Sequence, residues 1–484
     1  MKIMFLYRGA ESMGIEYLSA FLKKEGHATD LIFDPGFDDT FYFSFPFLKQ
    51  LNRWPYLIKR VKCFKPDILA VSSITNTYPY IRELIKKIKE SYNCYTVIGG
   101  VHASIIPEYI IREGLFDAVC IGEGEEALIE LVRYLKEGEK PTSLRNFYFI
   151  REGSIIKNSL RPLIKNLDTL PFPDKDLFYK YGAFSRSLMV STSRGCLHSC
   201  TYCINEQWKK MYLNLGPGIR RQTPERTIEE LKYFTNLYSI KTINFQDDIL
   251  TIDKNWLERF GELYRRFINL PFQCNVHPRF VSSDIVKLLK EMGCASVCMG
   301  IQTAVQKKRK DILGRTETNE QIISAVNSLR KYCLPSYVEY IFGLPGETAD
   351  DIKENIMFNH NLKPTNTATF VLYPFPGTAL LNYCRNEKII SEKKLGLIYK
   401  GAGSVHYSSM IDLPNRLLSE TAAAFFPGLT SLPPSLSMFI IHIFSNKRLR
   451  WLVKIINIIL LPVNNYFQFK ERADNYLKMF LYRK

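Results

Sequence analysis

The amino-acid sequence predicts an α/β protein with a doubly wound parallel sheet, a partial barrel of strands and helices, and a helical C-terminal region. Two observations carry this prediction. Short apolar strands alternate with amphipathic segments over residues 1–145, and the alternation resumes over residues 181–385. Residues 146–180 carry several prolines, which indicates a linker between the two regions. Residues 386–484 contain longer apolar runs, which predict helices.

Composition places the chain among globular proteins that bury a large core. It has 484 residues, of which 46% are hydrophobic, enough for two to four domains. The net charge is +17, yet the lysines are scattered and no nucleic-acid module is recognisable, so no nucleic-acid partner is expected. Eleven cysteines without a secretory signal predict reduced thiols and a cytoplasmic protein.

The first region is predicted to be a Rossmann-like sheet with helices on both faces. An amphipathic stretch such as Ile15–Lys24 separates neighbouring strands. The strand candidates are Ile3–Tyr7, Ala28–Phe33, Ile68–Ser73, Tyr95–Gly100 and Ala118–Ile121. Ligands of such sheets bind at the carboxyl ends of the strands. Those ends carry Ser72, Gly99 and Gly100, small residues that suit a flat or bulky ligand.

The second region is predicted to be a partial (β/α)6 TIM-type barrel. Its strand candidates are Leu188–Thr192, Thr242–Gln246, Phe272–Val276, Ser296–Gly300, Tyr337–Phe342 and Ala368–Tyr373. Catalytic groups of barrels gather at the carboxyl ends of the strands. Asp247 and Asp248 follow the second strand, Gln302 follows the fourth, and Gly343 opens a glycine-bearing loop after the fifth. The aspartates also suit a helix N-cap, and Arg279, after the third strand, suits either a bound carboxylate or the surface.

Three cysteines lie within eight residues after the first barrel strand. Cys196, Cys200 and Cys203 have the spacing Cys-x3-Cys-x2-Cys, one ligand short of the four thiolates that saturate a four-iron cluster. A cluster held by three thiolates keeps one iron open for chemistry. A zinc site that includes His198 is the alternative, although structural zinc motifs normally come as two separated pairs of ligands.

This cysteine motif resembles that of the radical SAM enzymes. The resemblance implies a 4Fe-4S cluster whose open iron binds S-adenosylmethionine (SAM), and reductive cleavage of SAM to a 5′-deoxyadenosyl radical. It also implies a one-electron reductant such as flavodoxin or ferredoxin. The family places cofactor contacts where this chain has Asp247 and Asp248, Gln302 and the Gly343 loop, and Tyr202 is expected to contact the adenine. Gln302 stands where many relatives carry glutamate.

The first region resembles the cobalamin-binding domain that often precedes a radical SAM barrel. The matching passages are Gly99–His102 and Gly122–Glu126. The resemblance implies bound cobalamin near Ser72, Gly99 and Gly100. The Asp-x-His-x-x-Gly motif, whose histidine ligates cobalt, is missing, so a cobalt without a protein histidine below it is expected. A domain that binds nothing, or only substrate, is the alternative.

The C-terminal region has two apolar runs separated by a basic patch. They span Met438–Phe444 and Trp451–Leu461, and neither is long enough to cross a bilayer. The expected role is a helical substrate-specificity domain that covers the barrel mouth. Association with a membrane surface is the second interpretation.

Together these features predict a cobalamin-dependent radical SAM methyltransferase that acts on an unactivated carbon of a small-molecule or natural-product substrate. A radical cyclase or rearrangement enzyme of the same fold is one alternative. A non-catalytic sensor that binds the cluster or cobalamin is another. A methylthiotransferase is disfavoured because Cys63, Cys94 and Cys120 lack the contexts of a second cluster loop.

Overall fold

The structure is a computed structural model that describes residues 1–36, 53–139, 141–402, 409–430, 432–446 and 449. Two parallel sheets dominate it, one of seven strands and one of six. The predicted α/β class, with a doubly wound sheet followed by a partial barrel, is confirmed.

The first sheet has five parallel strands and an antiparallel hairpin at one edge. Its strands are β1 (Lys2–Arg8), β2 (Ala28–Asp34), β3 (Ile68–Ser72), β4 (Tyr95–Gly99), β5 (Ala118–Cys120), β6 (Phe147–Arg151) and β7 (Ser154–Lys157). The order is β2-β1-β3-β4-β5-β6-β7. The chain therefore reverses direction across the sheet between β1 and β3, where doubly wound folds open a crevice for ligands.

Helices cover both faces of this sheet. They are α1 (Met13–Lys24), α2 (Trp54–Phe64), α3 (Tyr78–Lys89), α4 (Val101–Ile105), α5 (Pro107–Arg112) and α6 (Glu125–Lys136). Apolar residues of α1 and α6 pack into the core on one face, whereas those of α2 to α5 pack into the core on the other. This two-sided burial explains why the strands are continuous apolar runs.

The β6–β7 hairpin corrects one expectation from the sequence. The sequence predicts a linker at residues 146–157, but β6 pairs antiparallel with β5, and β7 pairs with β6. The hairpin is hard to read from sequence because β7 has no buried residue and so shows no apolar pattern. The connector between the sheets therefore starts after Lys157.

The connector is tied to both sheets through one short helix, α7 (Asp176–Tyr179). Lys175, at its N-terminus, is 1% exposed. Its Nζ lies 2.6 Å from Glu11 Oε1 and 2.8 Å from Glu16 Oε2, and donates to the carbonyl of Met189 at 2.8 Å. The glutamates belong to the first sheet's region and Met189 to the barrel, so this cation joins the two.

The second sheet is an open barrel of six parallel strands. They are β8 (Ser187–Val190), β11 (Thr242–Phe245), β12 (Phe272–Val276), β13 (Cys294–Gln302), β14 (Ser336–Phe342) and β15 (Asn366–Val371), and a short ribbon comprises β9 (Ser193–Arg194) and β10 (Arg220–Arg221). The order β15-β14-β13-β12-β11-β8 leaves β8 and β15 at opposite edges. The partial, six-stranded barrel predicted from the sequence is thus confirmed.

Well-capped helices connect the barrel strands. They are α8 (Ile204–Met211), α9 (Pro224–Leu237), α10 (Lys254–Phe267), α11 (Ser283–Glu291), α12 (Gln306–Asp311), α13 (Asn319–Lys331), α14 (Ala349–Leu362) and α15 (Ala379–Asn386). Thr223, Asp253 and Ser282 each accept a backbone hydrogen bond at a helix start. Thr318 and Thr348 form reciprocal capping boxes with Gln321 and Asp351. These side chains explain where the sequence turns from strand to helix.

The described C-terminal helices are α16 (Glu392–Tyr399), α17 (Arg416–Leu429) and α18 (Pro434–Phe444). Phe426 of α17 packs edge-on against Tyr340 and Phe342 of β14, with ring centroids 5.2 and 5.4 Å apart. The hydroxyl of Thr369 in β15 donates to the carbonyl of Ala423 at 2.5 Å. α17 therefore covers the outer wall of the last two strands and not the barrel mouth.

α18 continues this outer layer by packing against α17, and Phe425 and Phe444 contact each other with ring centroids 5.1 Å apart. Within the described part of the chain, every helix is too short or too polar to cross a membrane. The second apolar run, residues 451–461, and the basic patch before it lie largely outside the described residues.

Candidate active site

Asp247, which follows β11, holds the chain between β8 and the cysteine loop in place. Asp247 is 1% exposed. Its carboxylate accepts hydrogen bonds from the backbone and hydroxyl of Thr192, at 3.0 and 2.6 Å, and from the hydroxyl of Ser193 at 2.5 Å. Arg221 lies 3.6 Å from the same carboxylate. Asp247 thus orients the chain just before the first cysteine, and its oxygens are committed to protein groups.

Gly195 gives the loop a turn that other residues resist. Its φ is +96°, and a Cβ there would lie 1.9 Å from the carbonyl oxygen of Gly218. Both the left-handed backbone and the close approach of the strand after α8 require glycine. The residue in front of Cys196 is therefore set by geometry.

Two further contacts hold the loop in place. Lys209 of α8 donates from Nζ to the carbonyls of Leu197 and His198, at 2.7 and 2.8 Å, and to the hydroxyl of Ser199 at 3.2 Å. On the other side, Thr201 donates from its hydroxyl to the carbonyl of Ile312 at 2.6 Å. The loop is thus clamped between α8 and the segment after α12.

The three thiols of the loop are free, with Cys200 buried and Cys196 and Cys203 half-buried. Burial raises the pKa of the Cys203 thiol to about 11, and the charges of Cys200 and Asp248 add to the shift. Burial also raises the pKa of Cys196, again with a contribution from Asp248. Asp248, unlike Asp247, is exposed. The negative charge of Asp248 therefore raises the pKa of two of the three thiols.

The spacing of the three cysteines, without the second pair of ligands that structural zinc motifs carry, favours a cluster over a single zinc ion. Zinc gathers about four donors around one point. A cubane instead binds each thiolate through a different iron. His198 stacks on His277 with ring centroids 3.9 Å apart, so its ring packs against another side chain.

A buried arginine, Arg315, contacts the cluster loop at Tyr202. Arg315 Nε donates to Glu317 Oε1 at 2.5 Å, and Nη2 donates to the carbonyl of Gly300 at 2.9 Å. Its Nη1 lies 3.4 Å from the hydroxyl of Tyr202, the residue between the last two cysteines. Although burial raises the pKa of Glu317, hydrogen bonds and charge from His277 and Arg315 lower it to about 2. Glu317 is therefore an anion paired with a permanent cation.

The remaining residues predicted to contact SAM lie at three different places. Gln302, at the end of β13, is buried and has a φ of +69° next to a register shift in the strand. Tyr202, inside the cluster loop, has its hydroxyl 3.4 Å from Arg315 Nη1. Gly343, with φ +77°, has Leu413 and Ser409 of the C-terminal segment within 4 Å of the position a Cβ would take. The structure thus places Tyr202 beside Arg315 and Gly343 beside the C-terminal segment.

A cavity of about 340 Å³ lies at the carboxyl edge of the first sheet. Its walls include Ser72, Gly99 and Gly100, which the sequence marked as cofactor contacts. A Cβ on Gly100 would lie 2.7 Å from the carbonyl oxygen of Ser73, so the loop after β4 packs onto the loop after β3 only because Gly100 lacks a side chain. The remaining walls are mainly apolar, including Phe5, Val71, Val97 and Leu128. This lining suits the bulky apolar part of a cofactor.

A second cavity, of about 430 Å³, adjoins the first and reaches the cluster loop. The two share Gly122, Glu123 and Arg194 in their walls, and the second also contains Cys196 and Trp208. The two cavities therefore lie side by side, one at the edge of the first sheet and the other at the first cysteine, with these shared residues in the walls of both.

Arg194 bridges the two domains at the point where the cavities meet. Its Nη1 donates to Glu123 Oε1 at 2.9 Å and its Nη2 donates to Glu125 Oε1 at 2.6 Å. Arg220 also pairs with Glu123, at 2.8 Å. Although burial raises the pKa of Glu123, Arg194 and then Arg220 lower it below its usual range. The glutamate therefore stays ionised and holds the barrel entrance against the first sheet.

Neither histidine of the first sheet's domain lines these cavities. His102 is fully buried, its Nδ1 lies 3.2 Å from the Thr75 hydroxyl, and burial lowers its pKa to about 4. His27 is at the other edge of the sheet, 3.4 Å from the N-terminal amine. The residues around the two cavities therefore fit a corrinoid that takes no histidine from this domain.

Sequence reasoning missed several residues of the site. Arg315 and Glu317 carry no motif and are brought to Tyr202 only by folding. Tyr212, whose hydroxyl accepts from the backbone of Glu123 at 2.8 Å, comes from the segment after the cysteines. Arg194 could have been found from the sequence. It is a charged residue two positions before Cys196, and it does not lie in an amphipathic helix that would place it at the surface.

Comparisons with known proteins agree with this arrangement. Residues 9–132 match the B12 binding domain model, and residues 190–358 match the radical SAM superfamily model. The first span contains β2 to β5 of the first sheet, and the second contains the cysteine loop and β11 to β14 of the barrel. The chain therefore combines a B12-binding domain with a radical SAM domain. The cofactors that these domains imply are cobalamin for the first, and a 4Fe-4S cluster with SAM for the second.

Individual relatives are similar over most of their length. An uncharacterized methyltransferase of Pyrococcus horikoshii is 29% identical over 77% of this chain and 78% of its own. An anaerobic magnesium-protoporphyrin IX monomethyl ester cyclase of Cereibacter sphaeroides is 24% identical over 80% of this chain and 64% of its own. Among solved structures, the radical SAM methyltransferase TsrM of Kitasatospora setae, with cobalamin and a [4Fe-4S] cluster bound, aligns with a TM-score of 0.63 at 16% identity, over 80% of this chain and 78% of that one.

Proposed function

We propose that this protein transfers a methyl group from cobalamin to an unactivated carbon of a small-molecule or natural-product substrate. The observation that carries the proposal is the pair of adjoining cavities, one at the carboxyl edge of the first sheet and one at Cys196, with Arg194 and Glu123 in the walls of both. When bound, the cluster supplies an electron for the cleavage of SAM, and cobalamin supplies a transferable methyl group. A methyl donor seated in these cavities would lie beside the site of radical formation.

Specific residues are assigned to each cofactor in this proposal. Cys196, Cys200 and Cys203 bind the cluster. Ser72, Gly99 and Gly100 hold cobalamin at the sheet edge, where the glycines let the backbone approach the ligand closely.

The assignment around SAM distinguishes the two neighbouring aspartates. Asp248, which is exposed, accepts a charge-assisted hydrogen bond from the amino group of SAM. Asp247 acts indirectly, by holding Thr192 and Ser193 ahead of the cysteines. Tyr202 and Gln302 position the nucleoside part.

The proposed domain limits follow from these contacts. The cobalamin-binding domain extends from residue 1 through the β6–β7 hairpin, and the connector ends near residue 180. The barrel then continues to about residue 385, with the C-terminal helices on its outer wall. A one-electron reductant such as flavodoxin or ferredoxin serves the cluster, and a cytoplasmic location suits its reduced thiols.

Anaerobic reconstitution tests the proposal. The protein is loaded with iron, sulfide and hydroxocobalamin, and then given a reductant and SAM with a deuterated methyl group. We expect corrinoid absorbance in the purified protein, transfer of the labelled methyl to the corrinoid, and formation of 5′-deoxyadenosine. Labelled methyl on cobalamin without 5′-deoxyadenosine would contradict radical chemistry, and 5′-deoxyadenosine without bound corrinoid would contradict methyl transfer.

A radical cyclase is the second candidate, because a cyclase is among the relatives. It would form 5′-deoxyadenosine but leave the labelled methyl group out of the product. Mass spectrometry of the product formed from deuterated SAM separates the two, once extracts are screened for a substrate that increases 5′-deoxyadenosine formation. A sensor without turnover would show neither product.

A further inference from the structure

The cluster loop reaches the protein surface between its first two cysteines. Leu197 is 53% exposed, and Ser199 is exposed as well, whereas Cys200 is buried. In the proposed function each turnover needs one electron from outside the protein. Because electron transfer weakens steeply with distance, the surface over this loop is the natural entry point for that electron.

Cations surround this exposed part of the loop. Lys209 lies against it, since its Nζ contacts the Leu197 carbonyl. On the other side, a Cβ on Gly314 would lie 3.2 Å from the Ser199 carbonyl oxygen, so the end of α12 abuts the loop. Arg279 is exposed and donates to the carbonyl of Thr316 at 3.0 Å, two residues further on.

α12 adds two outward-facing lysines to this surface. Lys307 and Lys310 are exposed, lie three residues apart on one helix face, and form no ion pair within the described residues. The other two cations of the helix point inward: Lys308 pairs with Asp351 at 3.4 Å, and Arg309 is buried and donates to the carbonyl of Thr303 at 2.7 Å.

The surface therefore combines an exposed apolar side chain with a cationic border. We name it the loop rim, and it consists of Leu197, Ser199, Lys209, Arg279, Lys307 and Lys310. Asp311 is an exposed carboxylate beside it. Because Lys307 and Lys310 form no ion pair within the described residues, the four cations of the rim outweigh the carboxylate of Asp311 and give the rim a positive field that attracts an anionic surface.

We propose that the loop rim docks an acidic one-electron carrier protein, with Leu197 at the centre of the contact. This inference rests on the proposed function, because it supplies the electron donor of that site. One electron passes from the reduced flavin or iron–sulfur group of the carrier to the cluster. The carrier is oxidised by one electron and the cluster is reduced by one, and no bond or proton changes hands. Complementary charge around a small apolar centre suits a transient complex that must dissociate after each transfer.

The test measures reduction of the cluster itself. The reconstituted full-length protein is mixed anaerobically with fully reduced flavodoxin, and the loss of cluster absorbance is followed by stopped flow without SAM or cobalamin. Photoreduced 5-deazariboflavin, a small uncharged reductant, is used in parallel. The double variant Lys307→Glu/Lys310→Glu is compared with the control Lys24→Glu/Lys136→Glu, which changes the charge equally. Lys24 and Lys136 end α1 and α6, at the opposite edge of the first sheet.

We expect the rim variant to lower the second-order rate with flavodoxin about tenfold or more at low salt, as loss of electrostatic steering does. The control variant and the wild type should match, and the three proteins should react equally with deazariboflavin. The wild-type rate with flavodoxin should also fall between about 0.01 M and 0.15 M salt, as the screening length shortens from about 30 Å to about 8 Å.

Other results would overturn the inference. Equal rates of the rim variant and the control with flavodoxin would place docking elsewhere. A loss of rate with both reductants would mean that the lysines act on the cluster and not on a partner. Weaker binding of a non-specific DNA duplex by the rim variant, with an unchanged flavodoxin rate, would assign the surface to nucleic acid. Absence of methyl transfer leaves this measurement unaffected, so the inference and the proposed function fail separately.

Discussion

Replacing Lys175 by methionine should strongly destabilise the protein, because the lysine neutralises two buried carboxylates at the junction of the two sheets. Its Nζ lies 2.6 Å from Glu11 and 2.8 Å from Glu16, with 1% of the lysine exposed. Methionine has a similar length but no charge, so both carboxylates would remain buried without a cation. Removal of one partner from a buried ion pair costs about 3–5 kcal/mol.

The size of the effect should depend on pH, with a definite sign. Burial raises the pKa of Glu16 well above its usual value of 4.5, and the charge of Lys175 is the largest influence that lowers it. Without the lysine, the folded-state pKa rises further. A group with a raised folded-state pKa contributes stability that is complete below its unfolded pKa and is lost as the pH rises through the folded pKa. The variant should therefore lose more stability at about pH 8 than at about pH 5.

Urea unfolding of the cofactor-free protein, followed by tryptophan fluorescence at both pH values, measures this loss. Lys180→Met is the matched control, because Lys180 closes the same short helix and its Nζ lies 2.5 Å from Asp30, yet the lysine side chain is 37% exposed. The control should lose only about 0.2–1 kcal/mol, as exposed ion pairs do. Equal unfolding midpoints for the two variants, or a loss for Lys175→Met that is independent of pH, would refute this reasoning.

Three further substitutions test the cofactor sites. Gly195→Ala should remove most of the bound iron after reconstitution, because its Cβ would lie 1.9 Å from the Gly218 carbonyl, whereas Gly218→Ala meets no atom within 4 Å and should retain iron. Gly100→Ala should abolish corrinoid absorbance in the loaded protein but leave the iron content unchanged. Gly114→Ala, which also has a positive φ but no atom within 4 Å of the added Cβ, controls for backbone strain. Loss of corrinoid in both variants would point to strain alone. Asp248→Asn should weaken SAM binding by roughly tenfold or more at unchanged stability, as loss of a charge-assisted hydrogen bond does. A normal affinity of this variant for SAM would exclude the proposed contact. In Asp247→Asn the iron content should fall as well.

The sequence already predicted the sheets and the cluster ligands, because these depend on local patterns. Every predicted strand of the two parallel sheets is present within a few residues, since each is an apolar run between helices. The cysteine loop is equally local, with its three thiols within eight residues. The glycines that set close backbone approaches, Gly100 and Gly195, also stand beside recognisable motifs.

Other features depended on contacts between distant parts of the chain. The hairpin after β5 has no buried residue in its last strand, so its sequence shows no apolar pattern. The position of α17 depends on a distant surface, the outer wall of β14 and β15. An apolar periodicity predicts that one face of an element is buried, but it does not identify the surface against which that face packs.

The sequence by itself determined the class of enzyme and its cofactors, because the cysteine spacing and the alternation of strands and helices are short-range properties. Only the tertiary structure decided which aspartate is buried. Asp247 and Asp248 are neighbours in sequence, but the strand end turns one toward Thr192 and Ser193 and leaves the other exposed, where it accepts a hydrogen bond from Asn205 at 3.1 Å. It likewise joined Arg194 to Glu123 and Glu125, about 70 residues earlier in the chain. Charge pairs of this kind form wherever folding brings them together, so no local pattern announces them.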